Sequence, residues 1–186
     1  MIDQTEIHRK ANSISQEDRK EAVDALVSAF GLVPDQEQAW KDLHSLIQDE
    51  KGYVRSCAAE ALGTAFGQVP DKDQAWRDLH KLTQDKARIV RGSAAASLGI
   101  AFGQVPNKDQ AWRDLHKLTQ DKDRIVQGSA AASLGIAFGQ VPKKDQAWKD
   151  MHRLTQDKDR TVRGSAAKAL GIAFGLVPNK DLAWKD

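Results

Sequence analysis

The chain has 186 residues, with 28 Lys and Arg against 26 Asp and Glu, which gives a formal net charge of +2. Hydrophobic residues make up 40% and charged residues 29%, ordinary values that exclude a wholly disordered or collagen-like chain. The single cysteine excludes an intramolecular disulfide and a cysteine-based zinc site and favours a reducing compartment, so we expect a cytoplasmic protein. No apolar run approaches the roughly 18 residues of a membrane span, and the N-terminus, MIDQTEIHRK, lacks the apolar core of a signal peptide.

Four residue types, Pro, His, Trp and Phe, each occur five times and recur every 36 residues, as from Trp40 to Trp76. A fixed period of this size indicates a solenoid, propeller or array of stacked units. The tryptophans are Trp40, Trp76, Trp112, Trp148 and Trp184, and the histidines are His8, His44, His80, His116 and His152.

The first unit, residues 1–33, departs from the period but keeps His8 and Phe30 in register. Gln4 stands where the later units have tryptophan, and the segment from Ser15 to Asp18 predicts a capping box that opens a helix. A divergent, polar first unit is what the exposed end of a solenoid requires.

The full units are predicted at residues 34–69, 70–105, 106–141 and 142–177, and each contains two helical segments, called helix A and helix B. In the unit 70–105, the apolar spacing of Ala75, Leu79 and Leu82 predicts an amphipathic helix A. A second stripe predicts helix B, and its members are Val90, Ala94, Ser97, Leu98, Ala101 and Phe102. Alternating β-branched residues are absent, which disfavours propellers and leucine-rich repeats.

The ends of these helices carry recognisable signals. Pro70 followed by Asp71 or Asp73 predicts the start of helix A. Gly103 stands where a left-handed cap would end helix B. Each unit is therefore predicted to be a helical hairpin.

Residues 178–186 begin a further helix A and stop after about one turn. Leu176 and Leu182 replace the glutamines of the preceding units. We expect these leucines either to dock the last segment on the preceding helix B or to form an adhesive end through which the protein self-associates.

The turn and helix B, with the pattern Asp-Lys-x-Arg-x-Val-Arg-x-x-Ala-Ala-x-x-Leu-Gly, resemble HEAT repeats, most closely the prokaryotic type grouped with phycobilisome-lyase-like repeats. The resemblance covers essentially the whole chain and implies an all-α fold, a right-handed α-solenoid of stacked antiparallel hairpins with helix B on the inner, concave side. It implies a ladder of ion pairs between repeats, with members Asp49, Arg55, Asp85, Arg91, Asp157 and Arg163. Gln127 interrupts the pattern opposite Asp121, and Ser13 replaces the aspartate that would match Arg19.

The concave surface of helices B is the candidate partner-binding site. On a helical wheel, small residues cluster opposite the buried stripe with an isoleucine beside them, which predicts a flat, poorly charged face. The candidate residues are Glu60, Ala96, Gly99, Ile100, Ala132, Gly135, Ile136, Lys168, Gly171 and Ile172. The functional interpretation is a groove that admits a helix or an extended peptide. The alternative is steric: small residues let successive helices B crowd together.

Two chemical interpretations of the repeated residues are weaker. Each histidine from His44 to His152 follows a tryptophan by four residues, which favours packing beside that ring over metal binding. Equivalent histidines are separated by a helix spacing of about 8–10 Å, too far for two rings to bind one zinc ion. The sequence shows no phosphate loop or catalytic motif, so we predict no catalytic residue, metal or cofactor.

Charge is distributed unevenly along the chain. Residues 70–177 form a basic stripe on helices A and the turns, which would suit a phosphate backbone. Aspartates at Asp78, Asp114 and Asp150 lie beside these bases, and such mixing is more typical of a solvated face.

The sequence therefore predicts a non-catalytic protein–protein interaction scaffold that binds a partner helix or peptide. Nucleic-acid binding by the basic stripe is one alternative. The other is a lyase or DNA-repair type of enzyme activity that resides in, or acts with, a further C-terminal portion.

Overall fold

The computed structural model describes residues 3–176, which form helices and turns without a strand. Successive helices pair as antiparallel hairpins, each with a helix A and a helix B. Helices A are α1 (Gln4–Ala11), α3 (Gln36–Ile47), α5 (Lys72–Leu82), α7 (Lys108–Leu118) and α9 (Lys144–Leu154). Helices B are α2 (Gln16–Ala29), α4 (Gly52–Ala65), α6 (Arg88–Ala101), α8 (Arg124–Ala137) and α10 (Arg160–Phe174), and a 3₁₀ turn (Phe30–Leu32) follows α2. The predicted all-α solenoid is confirmed.

Helices A begin where the Pro and Asp signals predicted. The side chain of Asp71 accepts a hydrogen bond from the Gln74 N–H at 2.8 Å. Asp35 and Asn107 cap α3 and α7 in the same way, each at 2.9 Å. These caps satisfy N–H groups that have no partner inside the helix.

Helix α9 lacks such a cap because Lys143 stands at the equivalent position and makes no capping hydrogen bond. Replacing Lys143 by aspartate should raise the free energy of unfolding by about 1 kcal/mol, since it adds the cap and places a negative charge at the helix N-terminus. The converse change, Asp71→Lys, should lower stability by a similar amount. Chemical denaturation followed by circular dichroism measures both, and unchanged midpoints would show that the caps contribute nothing here.

The predicted apolar stripes form the core. Ala75, Leu79 and Leu82 are buried in α5, and all six predicted members of the α6 stripe are buried. The aromatic ladders belong to the same core: Phe66 and Phe102 are fully buried, and Phe138 meets Trp148 edge-on at 6.2 Å between ring centroids. Each unit thus buries its apolar surface against its neighbours, as in other repeat proteins.

Successive helices B pack far more closely than successive helices A. Ser97 of α6 lies over Gly63 of α4, and its hydroxyl donates to the Ala59 carbonyl at 2.7 Å. Ser133 repeats the arrangement over Gly99, donating to the Ala95 carbonyl at 2.7 Å. Because helices B nearly touch while helices A stand further apart, the solenoid curves with helices B on its inner side.

The predicted left-handed cap at Gly103 is wrong, because no residue among 3–176 has a positive φ. Helix α6 instead ends in a right-handed turn in which the N–H groups of Gln104 and Val105 both donate to the Ala101 carbonyl, at 2.8 and 3.1 Å. The end of the Gln140 side chain lies over this glycine: a Cβ at Gly103 would lie 2.6 Å from the Gln140 amide oxygen.

The first hairpin has the polar features expected of an end unit. Ser15 caps α2 by accepting a hydrogen bond from the Asp18 N–H at 3.3 Å. Gln4, in the place of tryptophan, exchanges hydrogen bonds with the backbone of Asp35 in the next unit. At the other end, Leu176 is half exposed and lies near Gly139, where an added Cβ would be 3.7 Å from its side chain. Leu182 and the predicted segment 178–186 lie outside the described residues.

Candidate partner-binding surface

The exposed inner sides of helices B carry large apolar side chains. Ile100, Ile136 and Ile172 occupy equivalent positions in α6, α8 and α10, and they are 55%, 55% and 51% exposed. Ile89 and Ile125, at 38% and 47% exposure, stand eleven residues before Ile100 and Ile136, which returns them to almost the same side of the helix at about 100° per residue. Together they form two rows of isoleucine. They belong to the exposed inner side of helices B, from α2 to α10, which we call the inner face.

The small residues of the predicted site divide into two groups. Ala96 and Ala132 are half-buried between the isoleucine rows. Gly99 and Gly135, which we expected on the open surface, are instead buried, because Ser133 and Ala169 of the next helix cover them: a Cβ at either glycine would lie 2.7 Å from a carbon atom of that residue. These two glycines therefore serve the close approach of helices B and do not line the surface.

Gly171 differs from Gly99 and Gly135 although it occupies the equivalent position. It is exposed, and a Cβ there would meet no atom of residues 3–176 within 4 Å. The burial of these glycines thus comes from the following unit and not from their own helix.

The two charged candidates stand at the same position in different units. Glu60 of α4 is exposed and accepts a hydrogen bond from the Ser93 hydroxyl at 2.7 Å. Lys168 of α10 is also exposed. The inner face is therefore acidic near its first units and basic near the last described one.

The predicted ladder of ion pairs joins the turns of successive units. Arg55 binds Asp85 with both prongs of its guanidinium, at 2.8 and 2.9 Å, and Arg91 binds Asp121 in the same way, at 2.7 and 3.0 Å. Each arginine also donates to carbonyls of its own turn, as Arg55 does to Asp49. Bidentate, partly buried pairs of this kind are the strong form of the interaction.

The structure corrects two details of this ladder. Arg55 and Arg91 pair with the aspartates 30 residues later, and Arg19 does the same with Asp49, at 2.5 Å. Gln127 leaves Asp121 fully paired, and the missing rung is the one to Asp157, because Gln127 reaches only the Asp121 carbonyl, at 2.7 Å. Arg163, in the last described helix, bonds to the carbonyls of Asp157 and Lys158.

The ion pairs with Arg55 and Arg91 lower the pKa of Asp85 and of Asp121. Burial raises the pKa of Asp85 and of Asp121, but the arginine hydrogen bonds and a backbone N–H to each carboxylate outweigh it and hold the pKa below the usual value. Charged hydrogen bonds favour the ionised carboxylate in this way.

A second polar ladder joins helices A, and sequence reasoning missed it. The Nδ1 atoms of His44, His80 and His116 lie 2.6, 2.6 and 2.5 Å from carboxylates 34 residues later, which belong to Asp78, Asp114 and Asp150. These aspartates are buried. The recurrence of these aspartates every 36 residues beside the apolar stripe is the sequence signal for this ladder. The basic residues next to them instead favour the interpretation as a solvated face, which is wrong for these buried side chains.

The histidines also pack against the tryptophans, as predicted. The Trp76 and His80 ring centroids are 5.8 Å apart, and those of Trp112 and His116 are 5.4 Å apart. Within residues 3–176, no group of three or more His, Cys, Asp or Glu is placed to hold a metal ion.

Part of the predicted basic stripe is neutralised by pairing. Arg88 donates to Asp123 and Arg124 to Asp159, each at 3.1 Å. Arg77 and Arg113 instead bond to the side chains of Gln74 and Gln110. A carboxylate beside a cation offsets its attraction for a phosphate backbone, which weakens the nucleic-acid alternative.

A cleft opens between α2 and α4 at the edge of the inner face. It has a volume of about 360 Å³, and Val27 and Leu32, which line it, are 39% and 74% exposed. Equivalent positions in the next unit hold Gly63 and Gln68, so the apolar lining is specific to this junction.

Among residues 3–176, no helix has both the length and the apolar composition that a membrane span requires.

Comparison with known proteins agrees with this architecture. A family model described as HEAT repeats matches residues 9–99. Among curated proteins, nothing matches the chain.

Solved structures with a similar fold include designed repeat proteins. A designed armadillo repeat protein in complex with the peptide (KR)4 is 20% identical with a TM-score of 0.62, and the match covers 90% of this chain and 80% of that one. Computationally designed armadillo repeat proteins for modular peptide recognition are 21% identical with a TM-score of 0.58, over 89% and 80% of the two chains. At these identities the likeness concerns the fold.

Proposed function

We propose that this protein, of which residues 9–99 match a family model of HEAT repeats, is a non-catalytic scaffold that binds a partner helix or extended peptide on its inner face. Repeat solenoids of this kind are protein-interaction folds and are typically non-catalytic. The partner is a protein or peptide, and the scaffold acts in the cytoplasm.

The exposed isoleucine rows are the observation that carries this proposal. Ile100, Ile136 and Ile172 each leave about half of their surface open to water, although the core of every unit is well filled. Contiguous exposed apolar surface of this kind marks partner sites. Two designed relatives of the same fold bind, or are intended to recognise, peptides, which supports a similar use of this surface.

Replacing Ile136 by aspartate tests the proposal. Its side chain is exposed, so the fold should persist, while a charge placed in an apolar contact should reduce partner capture from a native extract at least about tenfold. Ile14→Asp is the matched control, because Ile14 is fully exposed in the turn before α2, away from the inner face. Equal capture by both variants, with unchanged circular dichroism, would remove the inner face from the account.

A further inference from the structure

We infer that the partner segment carries basic residues and a bulky apolar side chain at the end that is seated on α2 and α4, and continues as an uncharged apolar segment along the isoleucines. This inference rests on the proposed function and adds to it the chemistry and the direction of the partner. Two features support this inference: the distribution of charge along the inner face, and the cleft between α2 and α4 beside it.

The first two helices B present carboxylates at inward positions. Glu17, Asp24 and Glu60 are exposed, and Asp24 and Glu60 stand where α6 and α8 have alanine. Lys20 neutralises Asp24, but the structure pairs neither Glu17 nor Glu60 with a cation among residues 3–176. This end of the face therefore attracts positive charge.

The opposite end of the face repels the same charge. Lys168 takes the position of Glu60 in α10, and it is exposed. Between the two ends, the inward positions of α6 and α8 are uncharged, with Ile89, Ala96 and Ile100 in the first of them. A basic segment is thus favoured at one end only, and complementary potentials of this kind fix the register of a partner.

The cleft between α2 and α4 supplies an apolar anchor beside the carboxylates. Val27 and Leu32 give it an apolar wall, and Ser28 and Thr64 stand four residues after Asp24 and Glu60. Four residues are about one helical turn, or 5–6 Å, so each carboxylate stands one turn before a residue that lines the cleft. At about 360 Å³, it accommodates a leucine or an aromatic side chain whose neighbours in the sequence are Lys or Arg.

The size of the face sets the length of the partner. Four steps between five helices B, at about 8–10 Å each, span about 32–40 Å. An extended peptide of about 10–12 residues covers that distance at about 3.3 Å per residue.

The probe is a synthetic peptide of about 12 residues. Lys, Leu and Arg occupy one end, and alanine and leucine make up the remainder. A benzophenone cross-linking group labels the basic end. Fluorescence anisotropy should show that Asp24→Lys with Glu60→Lys weakens its binding about tenfold or more. The control, Glu37→Lys with Glu50→Lys, makes the same charge change outside the inner face and should leave affinity within about twofold, since distant exposed charges are screened. Cross-links from the benzophenone should fall on α2 and α4.

Three results would overturn the inference: equal weakening by both double variants, cross-links on α10, or no binding of the basic peptide. The Ile136→Asp variant separates this inference from the proposed function. Binding that Ile136→Asp abolishes but Asp24→Lys with Glu60→Lys leaves unchanged would keep the inner face as the site and remove its polarity. Binding that responds to the charge reversals but not to Ile136→Asp would instead contradict the proposed function.

Discussion

Replacing Gly99 by alanine should destabilise the protein by about 2 kcal/mol, although alanine is the better helix former by about 1 kcal/mol. The added Cβ would lie 2.7 Å from the Ser133 Cβ and 2.9 Å from its Cα, so helix α8 must move away from α6. That movement also strains the buried hydrogen bond from the Ser133 hydroxyl to the Ala95 carbonyl, and a buried hydroxyl left without its acceptor costs about 1–3 kcal/mol.

Gly171→Ala is the matched control, because the same substitution at the equivalent position meets no atom of residues 3–176 within 4 Å. It should stabilise the protein by about 0.5–1 kcal/mol, the gain expected from helix propensity alone. Urea denaturation of the two variants and the parent protein measures both effects. Destabilisation by both substitutions, or by neither, would contradict the claim that close packing of helices B dictates the glycines.

The ion-pair ladder gives the second large effect. Arg91→Gln should destabilise the protein by about 2 kcal/mol, because it removes a bidentate, partly buried pair and leaves Asp121 without its counter-charge. The chain contains the reverse experiment: Gln127→Arg should complete the missing rung to Asp157 and stabilise by about 1 kcal/mol. Unchanged unfolding midpoints for both variants would show that the ladder contributes no stability.

The same pair predicts a dependence on pH. Burial raises the pKa of Asp121, but Arg91 and the Asp123 N–H hold it below the usual value. A carboxyl with a depressed pKa in the folded state contributes stability above its unfolded pKa of about 3.9. That contribution is lost as the pH falls through the folded pKa. The stability difference between the parent protein and Arg91→Gln should therefore be largest near neutral pH and shrink below about pH 4; a constant difference would contradict this origin.

The sequence predicted most of the fold because the period exposes it. A core position recurs in every unit, so the stripes that contain Leu79 and Leu98 could be recognised without knowing what they touch. The caps at Asp35 and Asp71 were also predictable, since a capping hydrogen bond spans only three residues.

Contacts between units were harder to predict, because a helical wheel treats one helix at a time. Gly99 lies opposite the buried stripe of its own helix, and only the neighbouring helix reveals that Ser133 covers it. The partnership of His80 with Asp114 likewise joins two units, so each residue looked like a surface or packing residue alone. The place of Gly103 after a helix predicts a left-handed cap, whereas in the structure the end of the Gln140 side chain lies over it.

Methyl NMR on isoleucine-labelled protein tests the central claim most directly, because isoleucines occur both on the inner face and elsewhere. During titration with the basic peptide, the methyl signals of Ile89, Ile100, Ile125, Ile136 and Ile172 should shift. Ile7 and Ile47 in the core and Ile14 on the outer turn should stay in place. If the peptide binds, shifts confined to Ile14, or an absence of shifts from the inner-face signals, would contradict the assignment of this surface as the partner-binding site.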